Sequence, residues 1–256
     1  MVSETRSAGR LMMHWSRDAS WNMAVDEAVM QSVSATAEAE GMASAVMRFY
    51  SWERPTLSLG YFQSSREAMP RFESLAQVRR STGGGAIVHD RELTYSLTVA
   101  TPPGQRGARH DLYQGVHAAI VEQFRELGVT ALPYRLDRQR MSDEDAFLCF
   151  QRRTEEDLVV SGYKIVGSAQ RRAKRAVLQH GSVLLRASSA APELPGAFDL
   201  TSRSIDRLAF AEGLAARVGR LLRVDFRESE LTPAELGACD RVQHEKYGNQ
   251  DWLQRR

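Results

Sequence analysis

The chain has 256 residues, a formal net charge of +2 and a hydrophobic fraction of 43%, an ordinary globular composition with no overall field to attract nucleic acid or a membrane surface. Its opening, MVSETRSAGR, lacks the apolar core of a secretory signal, and no later run approaches the roughly 20 apolar residues that cross a bilayer. Two cysteines, Cys149 and Cys239, are too few for a disulfide framework and form no CxxC zinc pair, so both are expected as free thiols of a cytoplasmic protein.

In chain order, the first clear element is a helix over about 20–31, capped by Ser20, with Met23, Ala24, Ala28, Val29 and Met30 on its apolar side. The stretch 32–43, dominated by Ser, Ala and Glu, reads as a loop or a frayed helix end. Residues 45–50 and 56–61 read as short strands broken by Pro55, and a helical stretch is expected around 66–76. Residues 93–99 alternate as a strand should. The strongest helix signal covers 111–127, where Leu112, Val116, Ala119, Ile120 and Phe124 recur at helical spacing and Gly128 stands at C′. Residues 135–145 are polar and irregular. Between Asp157 and Leu185 three apolar runs (DLVV, KIVGSAQ, AVLQHGSVLL) are separated by short Ser-Gly and Ala-Lys-Arg turns, which predicts an antiparallel meander. Helical periodicity returns from about Ile205. The class expected is α+β, a mixed or antiparallel sheet flanked by helices. No repeat or Gly/Pro/Ser-rich linker divides the chain, so 1–256 is expected to be one domain.

Three segments carry candidate chemistry. In Arg79-Arg80-Ser81-Thr82-Gly83-Gly84-Gly85-Ala86-Ile87-Val88-His89-Asp90, three successive glycines let the backbone turn tightly and approach a ligand, with N–H groups free to face an anion or a polarised carbonyl. No Gly-Lys-Ser/Thr follows, so this is not a phosphate-binding P-loop, and a plain glycine loop before a strand would look much the same. In Val160-Ser161-Gly162-Tyr163-Lys164-Ile165-Val166-Gly167-Ser168-Ala169-Gln170, a lysine stands on an otherwise apolar strand, where alternation puts it on the side of Val166 and Ser168. Most lysines are simply solvated; this one has a mixed face suited to a pocket. His180, in Gln179-His180-Gly181-Ser182, reads as a hydrogen-bonded pocket wall rather than a base. Cys149 lies in Phe147-Leu148-Cys149-Phe150, a setting that by itself describes a buried, inert thiol.

Taken together, the first two segments resemble the Arg-Arg-x-x-Gly-Gly-Gly-x-x-x-His-Asp and Gly-x-Lys-Ile-x-Gly-Ser-Ala-Gln signatures of the biotin/lipoate protein ligase and transferase family. Trp21 to Glu27, Arg48 to Trp52, Pro55 to Gln63, Cys149-Phe150, Leu178 to Ser182, Lys246-Tyr247 and Asp251-Trp252 extend the likeness to its cysteine-dependent octanoyltransferase branch. The resemblance implies that Cys149 accepts an octanoyl group as a thioester. Lys164 would assist by its charge or by polarising the thioester carbonyl. It also implies that Arg80, Gly83, Gly84, Gly85, His89, Gly167, Ser168, Ala169, His180 and Gly181 bind the substrate, the glycines walling a narrow acyl tunnel. The donor implied is octanoyl-acyl carrier protein. The acceptor is a lysine of a lipoyl-domain protein, such as a glycine cleavage H protein or a 2-oxoacid dehydrogenase E2. No metal or cofactor is called for.

Two alternatives are distinguishable. An ATP-dependent lipoate-protein ligase would use ATP and Mg to make an acyl-adenylate and would need no cysteine. A non-catalytic lipoyl- or acyl-binding protein would bind without turnover. The basic run Arg171-Arg172-Ala173-Lys174-Arg175 suits either docking of an acidic carrier or a solvated turn. Cys239, in a late helical stretch outside the motifs, is expected to be structural.

Overall fold

The computed structural model describes residues 6–40, 44–65, 70–102, 108–137, 146–204 and 206–255. The chain opens on β1 (Ser7–Arg17) and turns directly into α1 (Ala19–Glu40). The cap is Asp18 rather than Ser20: its Oδ1 accepts from the Ser20 N–H at 2.8 Å and the Trp21 N–H at 3.3 Å. A carboxylate at that place also answers the helix dipole. The helix then runs well past residue 31, because Val33, Ser34 and Ala37 are buried and hold its last turns against the body of the protein.

Strands β2 (Ala45–Trp52) and β3 (Thr56–Leu59) follow, separated at Pro55 as expected. The helix expected around 66–76 is corrected. Residues 66–69 lie outside the described residues, Pro70–Phe72 make one 3-10 turn, and Ala76–Arg79 form β4, parallel to β3. Backbone pairing overrides local propensity here, and Phe72 fills the small core beneath. β5 (Ile87–His89) completes a three-stranded sheet, ordered β4-β3-β5. β6 (Glu92–Ala100) and α2 (Ala108–Glu126) agree with the sequence reading. After β7 (Leu132–Pro133) comes a 3-10 turn at Tyr134–Leu136, and the rest of the polar stretch, 138–145, lies outside the described residues.

The expected meander is present as β8 (Leu158–Val160), β9 (Tyr163–Arg172) and β10 (Ala176–Leu184), each antiparallel to the next. Ser161 and Gly162 join the first pair with φ of 49° and 80°, the left-handed conformations that suit a tight hairpin. The remaining elements are α3 (Ala197–Leu200), α4 (Arg207–Leu222), β11 (Val224–Glu228), α5 (Pro233–Val242), a π-helical turn at Gln243–Tyr247 and α6 (Gln250–Leu253).

The large sheet has the order β11-β1-β2-β6-β10-β9-β8-β7, parallel at β11-β1-β2 and antiparallel beyond. It is a mixed sheet between helices. Alternation in β2 sends Met47 and Phe49 to the face covered by α2 and α4, and Val46 and Tyr50 to the face covered by α1 and α5. Among the strands with no counterpart in the sequence reading are the two at one end of this sheet. β1 and β11 pair with each other in parallel, Ser7 to Leu11 against Val224 to Glu228, and so cover an edge that β2 would otherwise expose. Among the described residues no helix is long and apolar enough to cross a membrane.

Candidate active site

The glycine loop is tied to the small sheet and to the cysteine. Arg80, almost fully buried, donates Nη1 to the Ser58 carbonyl at 2.8 Å and Nη2 to the carbonyls of Gly83 and Gly85 at 2.9 and 2.6 Å. Gly84 takes φ +96°. A Cβ on Gly85 would sit 2.9 Å from the Cys149 nitrogen and 3.0 Å from the Phe147 oxygen, so the loop must be bare there for the cysteine segment to close on it. Two hydrogen bonds complete that closure: Ala86 N–H to the Phe147 carbonyl at 3.0 Å, and Cys149 N–H to the Ala86 carbonyl at 2.7 Å. Cys149 therefore stands in a fixed turn, half-buried, with its side chain on a cavity of about 300 Å³.

Lys164 meets it from β9. Its Nζ lies 3.6 Å from Cys149 Sγ, 3.2 Å from the Cys149 carbonyl and 2.8 Å from Asp157 Oδ2, with both Lys164 and Asp157 buried. Asp157 Oδ2 is itself held by the Thr154 N–H at 2.6 Å. The alternation expected along β9 is corrected. Val159 pairs with Lys164 while Leu158 pairs with Val166, so Ile165 is an extra, bulged residue. Ile165 and Val166 both enter the core, and Lys164 turns the other way into the cavity. Gly167 makes the room, since a Cβ there would lie 2.6 Å from Lys164 Cε and 3.0 Å from Nζ.

The rest of the cavity wall is polar and closely paired. His89 stacks on Trp52 at 4.0 Å and puts Nδ1 2.7 Å from Glu92 Oε1 and Nε2 2.9 Å from Ser58 Oγ. A carboxylate can only accept, so Nδ1 donates and Nε2 accepts a hydrogen bond from the Ser58 O–H. Burial lowers the His89 pKa against the pull of Glu92, which keeps the ring neutral. His180 has Nε2 2.7 Å from Thr82 Oγ1 and Nδ1 3.5 Å from Asp26 Oδ2. It lines the cavity as a hydrogen-bonded residue. Asp26 also takes hydrogen bonds from Arg48 at 2.9 Å, Tyr50 at 3.0 Å and Ser96 at 2.7 Å. Burial would raise the Asp26 pKa, yet the His180 contact, the Arg48 charge and the Ser96 bond hold it below the ordinary carboxylate value.

Of the residues expected at the site, Cys149, Lys164, Arg80, Gly83, Gly84, His89, Gly167, Ser168, Ala169, His180 and Gly181 line the cavity. Gly85 stands behind the wall, under Cys149. Ser168 touches the cavity, but its hydroxyl is occupied by Tyr95 at 2.8 Å and His117 at 2.7 Å. Sequence reasoning missed Asp157, whose position at the head of DLVV looks like an ordinary strand end, and also Trp52, Ser58, Thr94 and Ser182 on the wall. Asp157 was findable only by asking what would neutralise a buried lysine.

Cys239 is fully buried in α5, away from the cavity, and burial pushes its thiol up to about 11, as befits a structural cysteine. The basic run is largely spent on the chain itself: Arg171 faces Glu27 at 3.8 Å, Lys174 pairs with Glu38, and Arg175 donates to the Thr101 carbonyl at 3.2 Å. Lys246 and Tyr247 both bond Glu27 at 2.6 Å, and Trp252 donates to the Arg79 carbonyl at 2.8 Å, so the C-terminal motif braces the glycine loop's approach rather than the cavity.

Residues 18–205 match the family model described as the lipoyl protein ligase A/B catalytic domain. The octanoyltransferase LipM of Kyrpidia tusciae is 36% identical, with 96% of this chain and 98% of that protein covered. The octanoyltransferase LipM of Staphylococcus aureus is 31% identical, covering 94% and 96%. Among solved structures, a bipartite lipoate protein ligase studied with its E2 lipoyl domain from Thermoplasma acidophilum superposes with a TM-score of 0.77 at 22% identity, covering 97% of this chain and 96% of that one. Lipoate-protein ligase A bound with ATP gives a TM-score of 0.76 at 24% identity, covering 96% and 98%, and both show the shared fold. The chain belongs to the lipoyl protein ligase A/B catalytic family, whose octanoyltransferases it matches over nearly its whole length.

Proposed function

We propose that this octanoyltransferase of lipoate biosynthesis works through a thioester on Cys149, taking octanoyl from an acyl carrier protein and passing it to a lipoyl-domain lysine. The observation that carries the reading is the approach of a buried ammonium to a half-buried thiol, Lys164 Nζ 3.6 Å from Cys149 Sγ on a cavity wall. In the first step the Cys149 thiolate attacks the donor carbonyl carbon, and the π pair moves to oxygen. The adduct collapses by expelling the carrier's thiolate, which takes up a proton. In the second step the neutral acceptor amine attacks the Cys149 thioester, a C–N bond forms, the amine loses a proton and the cysteine sulfur leaves.

Both steps put negative charge on the same oxygen. A buried Lys164 ammonium, anchored by Asp157, is already in place to meet it without reorganisation. The donor thioester is activated from the start, so neither ATP nor a metal enters the scheme. For the acceptor, support comes from the solved archaeal ligase of similar fold, studied with an E2 lipoyl domain.

The test is the intact mass of the protein after incubation with octanoyl-acyl carrier protein without ATP, for the wild type and for Cys149→Ala. One octanoyl group on the wild type only, discharged by added lipoyl domain, is the expected result. No adduct would sink the pairing of donor and nucleophile. Pyrophosphate release from ATP with octanoate or lipoate would then identify a ligase, and ligand binding without either product a carrier.

A further inference from the structure

Almost every polar side chain on the cavity wall has a partner, and one stands out among them. Ser182 Oγ, on β10, is buried and has no hydrogen-bond partner among the described residues, although Ser182 lines the cavity. Its neighbours on the wall are satisfied: His180 by Thr82, Thr94 by Trp52 and Glu92, Ser168 by Tyr95 and His117. Burying a hydroxyl unpaired is unfavourable, so a wall this well paired gives the exception a meaning.

The place of Ser182 in the sheet says what it faces. Its cross-strand partners are Thr94 on one side and Gly167 on the other. Directly opposed side-chain positions are about 5 Å apart. The position opposite is empty because Gly167 has no side chain, and a Cβ there would be 3.0 Å from Lys164 Nζ. The Ser182 hydroxyl thus borders the gap through which Lys164 reaches Cys149, on the side leading to Trp52 and His89.

We propose that Ser182 is a catalytic residue, a second hydrogen-bond donor that joins Lys164 on the oxygen of the Cys149-bound carbonyl. The role rests on the thioester route given above. When the Cys149 sulfur adds to the donor carbonyl, the C–S bond forms and the π pair becomes an alkoxide, which the Ser182 O–H and the Lys164 ammonium bind. When the pair returns to carbon, the C–S bond to the carrier breaks and both donors are released. The hydroxyl loses no proton and forms no covalent bond. Its unpaired state in the empty enzyme is then preorganisation: nothing has to be broken before it can donate.

The experiment is single-turnover acylation by octanoyl-acyl carrier protein, read as the Cys149 adduct by intact mass, together with thermal unfolding. Ser182→Ala is expected to slow the limiting acylation rate about 100-fold. Because no hydrogen bond is lost in the empty enzyme, its melting temperature should be unchanged or higher. Ser182→Thr keeps the hydroxyl and is expected to recover most of the rate. Acylation of Ser182→Ala at the wild-type rate overturns the role while leaving the thioester route standing. So does a defect confined to the donor concentration for half-saturation, which would make the hydroxyl a ground-state contact. If the wild type itself takes no octanoyl on Cys149, the route falls and this role with it.

Discussion

Two buried carboxylate–cation pairs flank the cavity, and they differ in what they leave unfinished. In the pair Arg48–Asp26, Arg48 donates to His14, to the Asn22 carbonyl and side-chain oxygen, and to Asp26, which also accepts from Tyr50 and Ser96. Four of the five guanidinium N–H groups are taken, the carboxylate is surrounded, and the unit ties α1 to β2 and β6. In the pair Lys164–Asp157, the ammonium has one short contact, to Asp157 at 2.8 Å, and longer ones to the Cys149 carbonyl at 3.2 Å, the Arg152 carbonyl at 3.5 Å and the Cys149 sulfur at 3.6 Å. A closed pair fixes structure, whereas an open one keeps a charge ready for an atom that has yet to arrive. Their burial is alike, so burial and charge alone would not tell them apart; the lengths of the cation's contacts, and a cavity-lining sulfur among those of Lys164, do.

Removing the cation tests the closed pair most severely. Arg48→Ala strands a buried Asp26 and should cost about 3–5 kcal/mol of folding free energy, read from urea denaturation. Turnover per folded molecule should stay within several-fold of wild type. A variant that keeps its stability but loses turnover would reverse the assignment of the two pairs. At the open pair the balance is the opposite. Lys164→Met should lower the limiting rate about 10²–10³-fold. It also strands Asp157, so stability falls as well; adding Asp157→Asn should restore much of the stability and none of the rate. Recovery of the rate in the double variant would mean that Lys164 serves only to neutralise Asp157.

A smaller change probes the aim of the open pair without touching its charges. Gly167→Ala places a methyl 2.6 Å from Lys164 Cε, and the lysine must give way because the opposing atoms are its own flexible stem. Overpacking of this kind costs about 1–3 kcal/mol, and displacing the ammonium should slow transfer up to about 100-fold. If Gly167→Ala matches the wild-type rate, the position of the ammonium is less demanding than the contrast between the pairs requires.

The sequence made one side of this contrast easier to see than the other. Gly83 to Gly85 and Lys164 stand in unusual local settings, Cys149 is singled out only by the resemblance, and the cavity gathers all but Gly85 of the residues expected on it. Asp157 carries no local mark, because what identifies it is a contact across the β8–β9 hairpin, created by the bulge at Ile165. A bulge shifts alternation by one residue, and the apolar run KIV looks the same with or without it. Asp26 and Arg48 lay within recognised blocks, but their pairing depends on α1 crossing β2, a relation that periodicity cannot express. The same limit explains the fold errors. β11 is five residues long between two helices, and β1 becomes a strand through the pairings on its two sides. Gly219 permits that return, since a Cβ there would lie 2.7 Å from the Val224 oxygen.

The mildest prediction asks whether the surroundings of the open pair are themselves closed. Behind β9, His117 Nδ1 lies 2.7 Å from the Glu156 carbonyl, which can only accept, so Nδ1 carries the proton. Nε2, 2.7 Å from Ser168 Oγ, must then accept the Ser168 hydroxyl, and Ser168 in turn accepts from Tyr95. A second proton on the ring would turn that acceptor into a donor and reverse the chain. Burial lowers the His117 pKa to about 4, opposed by the Glu156 carbonyl and the Asp157 charge. Its unfolded counterpart titrates near 6.5. Between those values the unfolded chain binds a proton that the folded chain does not, so stability falls as the pH drops from about 6.5 to about 4, by about 1.4 kcal/mol per unit. Below that range the folded ring is protonated too, and its contribution to the slope disappears. His117→Gln, measured by denaturation across this window, should lose one proton's worth of slope and leave the acid response of the rest of the molecule in place. An unchanged slope would mean that the ring accepts its proton without disturbing Ser168, and that the wall behind Lys164 is looser than the hydrogen bonds imply.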